Sequence, residues 1–171
     1  MCRYTLRNTG VYMRIGTWNL ALRWSEQHRQ LLLRQKCDVW LLTEVSPRAL
    51  QPRNMIAEFR CHLSTQVMDR KQHWAAVLSR EAMIPIPDPH PASAAASIKG
   101  ITYCSTILPW RGAPSKHPWV GDNHSGRTES TLAALLKQLP KSSLVWGQSY
   151  SAVGYRAIWV VVEGYYPSTC F

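Results

Sequence analysis

The chain has 171 residues, 46% hydrophobic and 18% charged, with 20 Lys and Arg against 10 Asp and Glu for a formal charge of +10. A chain this long buries about 70% of the surface its unfolded form exposes, so a single domain needs neither disulfides nor a structural metal. The apolar runs, such as 157–162 and 39–42, fall far short of the roughly 20 residues that cross a bilayer, so no integral membrane segment is expected, and 8 Trp with 7 Tyr argue against disorder.

Residues 1–12 hold Arg3 and Arg7 without the apolar stretch of a secretory signal, and read as a leader or an over-extended start before Met13. Residues 13–20 alternate, with Ile15 and Thr17 on one face and Arg14, Gly16 and Trp18 on the other, which predicts a strand. Ser25 is then expected to cap a helix through Arg34, with Glu26 in the first turn where the helix dipole favours an anion. Asp38 to Val45 is nearly continuous in apolar residues, as suits a strand covered on both faces. Strand, helix and strand in this order make a right-handed crossover between parallel neighbours.

After Pro47 come shorter β-type segments at 56–63, 74–78, 92–98 and 100–108, the last two joined by a hairpin turn at Lys99-Gly100. Pro85, Pro87, Pro89 and Pro91 forbid helix or central strand and leave an extended connection. The loop from Leu108 to Ser125, rich in Pro, Gly, Trp and His, is too long for a mere connector. A helix over about 126–139 sets Leu132, Leu135, Leu136 and Leu139 toward the core and Arg127, Glu129 and Lys137 outward, with Asp122 or Asn123 as its cap. Further strands are expected at 144–147 and 157–162, completing an α+β or layered α/β domain of mixed sheets with helices outside.

The first predicted strand ends in Trp18-Asn19 and the second in Thr43-Glu44-Val45, which places an amide and a carboxylate at one edge of parallel neighbours. The carboxyl ends of strands are where open α/β sheets bind ligands. A hard cation such as Mg²⁺ takes one or two carboxylates, keeps several waters and meets substrate phosphates. Glu44 suits the anchoring anion and Asn19 an uncharged group that orients a ligand; the plainer reading is that both end strands and face water.

Residues 13–20, with Thr17-Trp18-Asn19, and 38–45, with Leu41-Leu42-Thr43-Glu44-Val45, resemble the first two motifs of the endonuclease/exonuclease/phosphatase superfamily. Trp74-Ala75-Ala76-Val77-Leu78-Ser79-Arg80 is similar to its Gly-x-Ala-x-Leu-Ser-Arg segment, and Tyr103 to Leu108 stands in the place of its central strand. The likeness runs on through the helix ending at Leu139 to Gly147. The resemblance implies a layered β-sandwich of mixed sheets flanked by helices over residues 13–147, incomplete at the C-terminus, with 148–171 a divergent tail. It also implies hydrolysis of a phosphodiester or phosphomonoester that depends on Mg²⁺ or Mn²⁺, in which the ion polarises a phosphoryl oxygen and a side-chain base aligns the attacking water. In that scheme Glu44 is the metal ligand and Asn19 its neighbour at the active-site floor.

The chain departs from the family pattern at three places. Ile107 falls where members carry His or Tyr; Gly147-Gln148-Ser149-Tyr150 replaces Gly-Asp-x-Asn; and no His follows His124 to form the terminal Asp-His pair. With suitable codons, a displaced reading frame at 147–150 would spell Asp-Asn-His, so a frameshifted tail is one expectation. Impaired turnover is another, because loss of a general acid or base costs about 10² to 10⁴ in rate. The alternative class is a non-catalytic basic module that binds nucleic acid or another polyanion.

His73 opens a strand where it either contacts a phosphate or simply meets water, and Arg111 follows Leu108-Pro109-Trp110 as a phosphate contact or a surface cation. Trp110 and Trp119 suit base stacking or the pinning of their own loop. Asp122 and His124 precede a helix rather than follow a strand, which favours capping over catalysis. Cys2, Cys37, Cys61, Cys104 and Cys170 show no Cys-x-x-Cys pair, so reduced thiols in a cytoplasmic protein are expected.

Overall fold

The computed structural model describes residues 2–8, 11–46, 48, 58–68, 71–141, 143–151 and 154–162. Strands β1 (Cys2–Asn8), β2 (Val11–Asn19), β3 (Val39–Val45), β4 (Arg60–Leu63) and β5 (His73–Ser79) form one five-stranded sheet in the order β1-β2-β3-β5-β4. Strands β6 (Ile84–Ile86), β7 (Ser93–Ile98), β8 (Ile101–Ile107), β9 (Ser143–Ser151) and β10 (Gly154–Val162) form a second in the order β10-β9-β8-β7-β6.

The expected parallel pairing of the first two predicted strands through a helix is present. β2 runs parallel to β3, with Ile15 opposite Val39 and Asn19 opposite Thr43, and helix α1 (Glu26–Arg34) joins them. β8 and β9 repeat the arrangement through α2 (His124–Gln138). Met13, Ile15, Val39, Leu41, Ala75 and Val77 of the first sheet meet Ala94, Ala96, Ile98, Ile101 and Tyr103 of the second in the sandwich core. Trp40, Leu42 and Leu78 on the outer face of the first sheet pack with Leu32 of α1 and with Phe59. Ala95, Cys104 and Leu108 pack with Leu135 and Leu139 around α2. This is an α+β layered sandwich of mixed sheets, as expected.

Local chemistry explains most boundaries. Lys99 and Gly100 both take positive φ, 50° and 78°, which suits the tight β7–β8 hairpin. A Cβ on Gly16 would lie 2.3 Å from the Trp40 ring, so the fully buried indole requires a glycine beneath it. Pro85 sits in a three-residue edge strand, where its missing N–H leaves no ladder bond unmade. Asn123 caps α2, its Oδ1 accepting the Gly126 N–H at 2.9 Å.

At several positions the structure differs from the sequence expectations or adds to them. Residues 2–8, read as a leader, pair antiparallel with β2 from Cys2 opposite Thr17 to Asn8 opposite Val11, and this satisfies an edge that β2 would otherwise expose. β2 accordingly begins at Val11. Residues 148–151, assigned to the tail, continue β9, and β10 pairs with it; residues 152–153 and 163–171 lie outside the described residues. Of the strand expected at 56–63 only β4 is seen, residues 51–57 being outside the description. Ser25 occupies the N-cap position of α1 but makes no capping bond, because its hydroxyl lies 2.7 Å from His28 Nδ1. On α2, Leu136 is 54% exposed and Arg127 is only 5% exposed, the reverse of the expected facing. Among the described residues no helix is long and apolar enough to cross a membrane, and Cys37, Cys61 and Cys104 are in no disulfide.

Candidate active site

Asn19 is the last residue of β2, and Glu44 lies one step beyond the Thr43 that pairs with it. Asn19 Nδ2 donates to Glu44 Oε1 at 2.8 Å, while Asn19 Oδ1 accepts the Ala21 N–H at 2.6 Å. The loop after β2 is tied to the same place: Leu20 N–H donates to the Thr43 carbonyl at 3.0 Å and Leu22 N–H to the Glu44 carbonyl at 2.9 Å. Ala21 and Leu22, at φ 48° and 59°, make the turn that returns these donors to β3.

The facing of Glu44 is set by its backbone. Val39 and Leu41 point into the sandwich, and Trp40 and Leu42 point to the outer face. Strict alternation would put Glu44 outside and Val45 inside. Glu44 instead has φ 51°, and Val45 joins Trp40 and Leu42 in the outer cluster. A left-handed residue inside a strand acts like a bulge, re-aiming its side chain next to a site. It turns the carboxylate toward Asn19, which shares the face of Met13 and Ile15.

β5 supplies the neighbouring rung, where Ala75 pairs with Thr43 and His73 with Val45. His73 Nδ1 lies 3.0 Å from the Ser64 carbonyl; a carbonyl only accepts, so Nδ1 carries a proton and Nε2 is the acceptor of the neutral ring. Arg111 is exposed in the loop after β8 and makes no hydrogen bond or ion pair among the described residues. The structure thus joins Asn19 to Glu44 directly and puts His73 on the adjoining strand. Arg111 stands on the other sheet's loop.

That loop is held at several points that the sequence did not reveal. Trp119, 1% exposed, meets Trp74 edge-on at 5.1 Å between ring centres and Trp110 at 4.9 Å, with Ile107 and Ala113 in the same cluster. His90 Nδ1 accepts the Ala92 N–H at 3.1 Å; burial pushes its pKa down to about 4, although a hydrogen bond to the Pro118 backbone opposes the shift. Arg127 Nη1 donates to Ser115 Oγ at 2.8 Å, and His117 Nε2 lies 2.6 Å from Gln66 Oε1. The mix of Trp and Pro in the loop was its only sequence signal. Trp110 and Trp119 therefore pin their own loop. Ser105 Oγ of β8 donates to the Leu42 carbonyl of β3 at 2.7 Å, a buried bond between the sheets beside the site.

Ile107 is 6% exposed within this apolar cluster, so no polar group rises from the end of β8. Asp122 is exposed, and His124 is the first residue of α2. Among the described residues no group of three or more His, Cys, Asp and Glu is placed to hold a metal.

No protein-family model matches the sequence, and no curated protein does. Solved structures do match in shape. The endonuclease domain of TRAS1, a telomere-specific non-LTR retrotransposon, aligns at TM-score 0.56 and 16% identity over 85% of this chain and 60% of its own. The 3′ phosphatase NExo from Neisseria, bound to a product DNA hairpin, aligns at 0.53 and 21% over 80% and 57%. An endonuclease/exonuclease/phosphatase from Beutenbergia cavernae aligns at 0.50 and 14% over 80% and 46%. The chain has the endonuclease/exonuclease/phosphatase fold. It spans no more than 60% of the length of these three proteins. On this fold the carboxyl edge of β2 and β3 is where the sequence resemblance placed a metal ligand, and there the Asn19–Glu44 hydrogen bond is found.

Proposed function

We propose that the chain is a divalent-metal-dependent phosphoesterase of low turnover, with nucleic acid as the substrate class, Glu44 as metal ligand and Asn19 as the residue that positions it. The observation that carries this reading is the 2.8 Å bond from Asn19 Nδ2 to Glu44 Oε1 at the carboxyl edge of two parallel strands. Glu44 Oε2 accepts no hydrogen bond among the described residues, which leaves it for a hard cation that needs one carboxylate and completes its shell with water. Such an ion, when bound, polarises a phosphoryl oxygen and stabilises the leaving alkoxide.

The chain's own residues do the rest. Asn19 holds the carboxylate against rotation, its own carbonyl being committed to the Ala21 N–H. His73 keeps Nε2 as an acceptor for water or a phosphate-borne proton. Arg111, with no partner among the described residues, offers its guanidinium to a phosphate. The formal charge of +10 favours a polyanionic substrate, and two of the proteins of similar shape are an endonuclease domain and a phosphatase bound to DNA.

The test is hydrolysis of single-stranded DNA and of a small phosphate monoester with and without Mg²⁺ or Mn²⁺. Turnover should require the metal and fall about 10²-fold or more in Glu44→Gln. A second reading is favoured by Ile107, a buried apolar residue where the family pattern has His or Tyr: a non-catalytic module that binds nucleic acid. Salt-sensitive DNA binding, with no metal-dependent turnover at any enzyme concentration, would replace the first reading with the second.

A further inference from the structure

The described residues outline a cavity of about 500 Å³ lined by Arg14, Leu33, Lys36, Asp38, Glu58 and Arg80. It lies where β3 begins. Glu44 stands near the other end of that seven-residue strand, about 20 Å away at the rise of an extended chain. No lining residue takes part in the Asn19–Glu44 contact, and none serves the chemistry proposed for it.

Its cations outnumber its carboxylates, and the carboxylates are already engaged. Asp38 Oδ2 accepts the Arg14 backbone N–H at 2.7 Å, and Glu58 is ion-paired with Arg80. Arg80 is fixed further: its Nε donates to the Cys37 carbonyl at 3.1 Å and its guanidinium lies 4.6 Å from the centre of the Phe59 ring. Lys36 follows α1 at φ 50°, its N–H on the Leu33 carbonyl at 3.1 Å, while Gln35 N–H takes the Leu31 carbonyl at 3.2 Å. These bonds satisfy helix-end carbonyls that would otherwise repel an anion. The Arg14 guanidinium and the Lys36 ammonium have no hydrogen-bond or ion-pair partner among the described residues.

Two unpaired cations, a third held in place, and an apolar wall from Leu33 match a phosphate group carried on a small organic body. A guanidinium binds two phosphate oxygens at once and an ammonium adds a point charge. The volume is within the range of small-ligand pockets. The geometry points to a second anion site in this cavity, one that takes the phosphate of an ester and is separate from the Glu44 rim. An entering phosphate competes with Glu58 for Arg80, so the site is self-inhibited by its own carboxylate.

That competition supplies a test that does not depend on the catalytic reading. Titration calorimetry on the full chain without divalent metal would use inorganic phosphate, a 5′-mononucleotide and a short single-stranded oligonucleotide as separate probes. Saturable binding is expected, tightened about threefold or more by Glu58→Gln and weakened about tenfold or more by Arg14→Gln with Lys36→Gln. Glu44→Gln should leave it unchanged. Glu58 is exposed and its ion pair adds little stability, so the affinity gain remains measurable if the double variant fails to fold. A preference for the mononucleotide assigns the site to small esters, and a preference for the oligonucleotide assigns it to a nucleic-acid backbone; either supports it. No saturable binding, binding indifferent to Glu58→Gln and the double variant, or binding lost in Glu44→Gln overturns it.

Discussion

Asn19 spends both ends of its amide on position, one on Glu44 and one on the Ala21 N–H. Asn19→Ala should therefore lower stability by only about 1 kcal/mol, since both partners can turn to water. The same change should weaken Mn²⁺ binding about 10- to 100-fold, as loss of a residue that orients a metal ligand does. Urea unfolding and a Mn²⁺ titration would separate the two effects, and unchanged metal affinity would remove Asn19 from its positioning role. Gly16 makes the opposite case, a residue with no polar chemistry and no slack. Its added methyl would meet the Trp40 ring at 2.3 Å, so Gly16→Ala should destabilise by about 1–3 kcal/mol, read as a shift in the urea midpoint.

At the scale of elements, the loop after β8 depends on His90 staying neutral. Burial lowers its pKa from 6.5 to about 4, so between those values the unfolded chain binds a proton that the folded chain does not. Stability should fall as pH drops from 6.5 to about 4, by up to about 3 kcal/mol, and this contribution should be flat below that. Unfolding curves across this range should show the slope, and His90→Gln should abolish it. Asp88 adds a separate acid limb. Although burial pushes its pKa up, the His62 ring 3.5 Å away and the hydrogen bonds from Thr65 outweigh this and hold it below 3.8; its stabilisation is complete above that value and lost as pH falls further.

At the scale of the molecule, a charge of +10 predicts salt-dependent association with polyanions. Fluorescence titration with single-stranded DNA should show affinity falling about tenfold or more between low and moderate salt, about 50 to 200 mM. Affinity that ignores salt would mean that the excess charge is only a solvated surface.

Most of this architecture was legible because it is written in local physics. Alternation in 13–20, the apolar run at 38–45, the Lys99-Gly100 turn and a helix cap at Asp122 or Asn123 each act within a few residues, and each appears in the structure, the cap being Asn123. The reading of two parallel strands that end in Asn19 and in Thr43-Glu44 placed both side chains on one edge, where they are found. What only the tertiary structure decided depends on partners distant in sequence. The left-handed turn at Glu44 reverses the facing that alternation predicts and is held by the Leu22 N–H and by Asn19. Arg127 turns inward because Ser115 receives it, and residues 2–8 become a strand because β2 offers an open edge. Side-chain type and period determine which segments form strands and helices; where a polar group finally points depends on which hydrogen-bonding group of another segment meets it once the two sheets have closed.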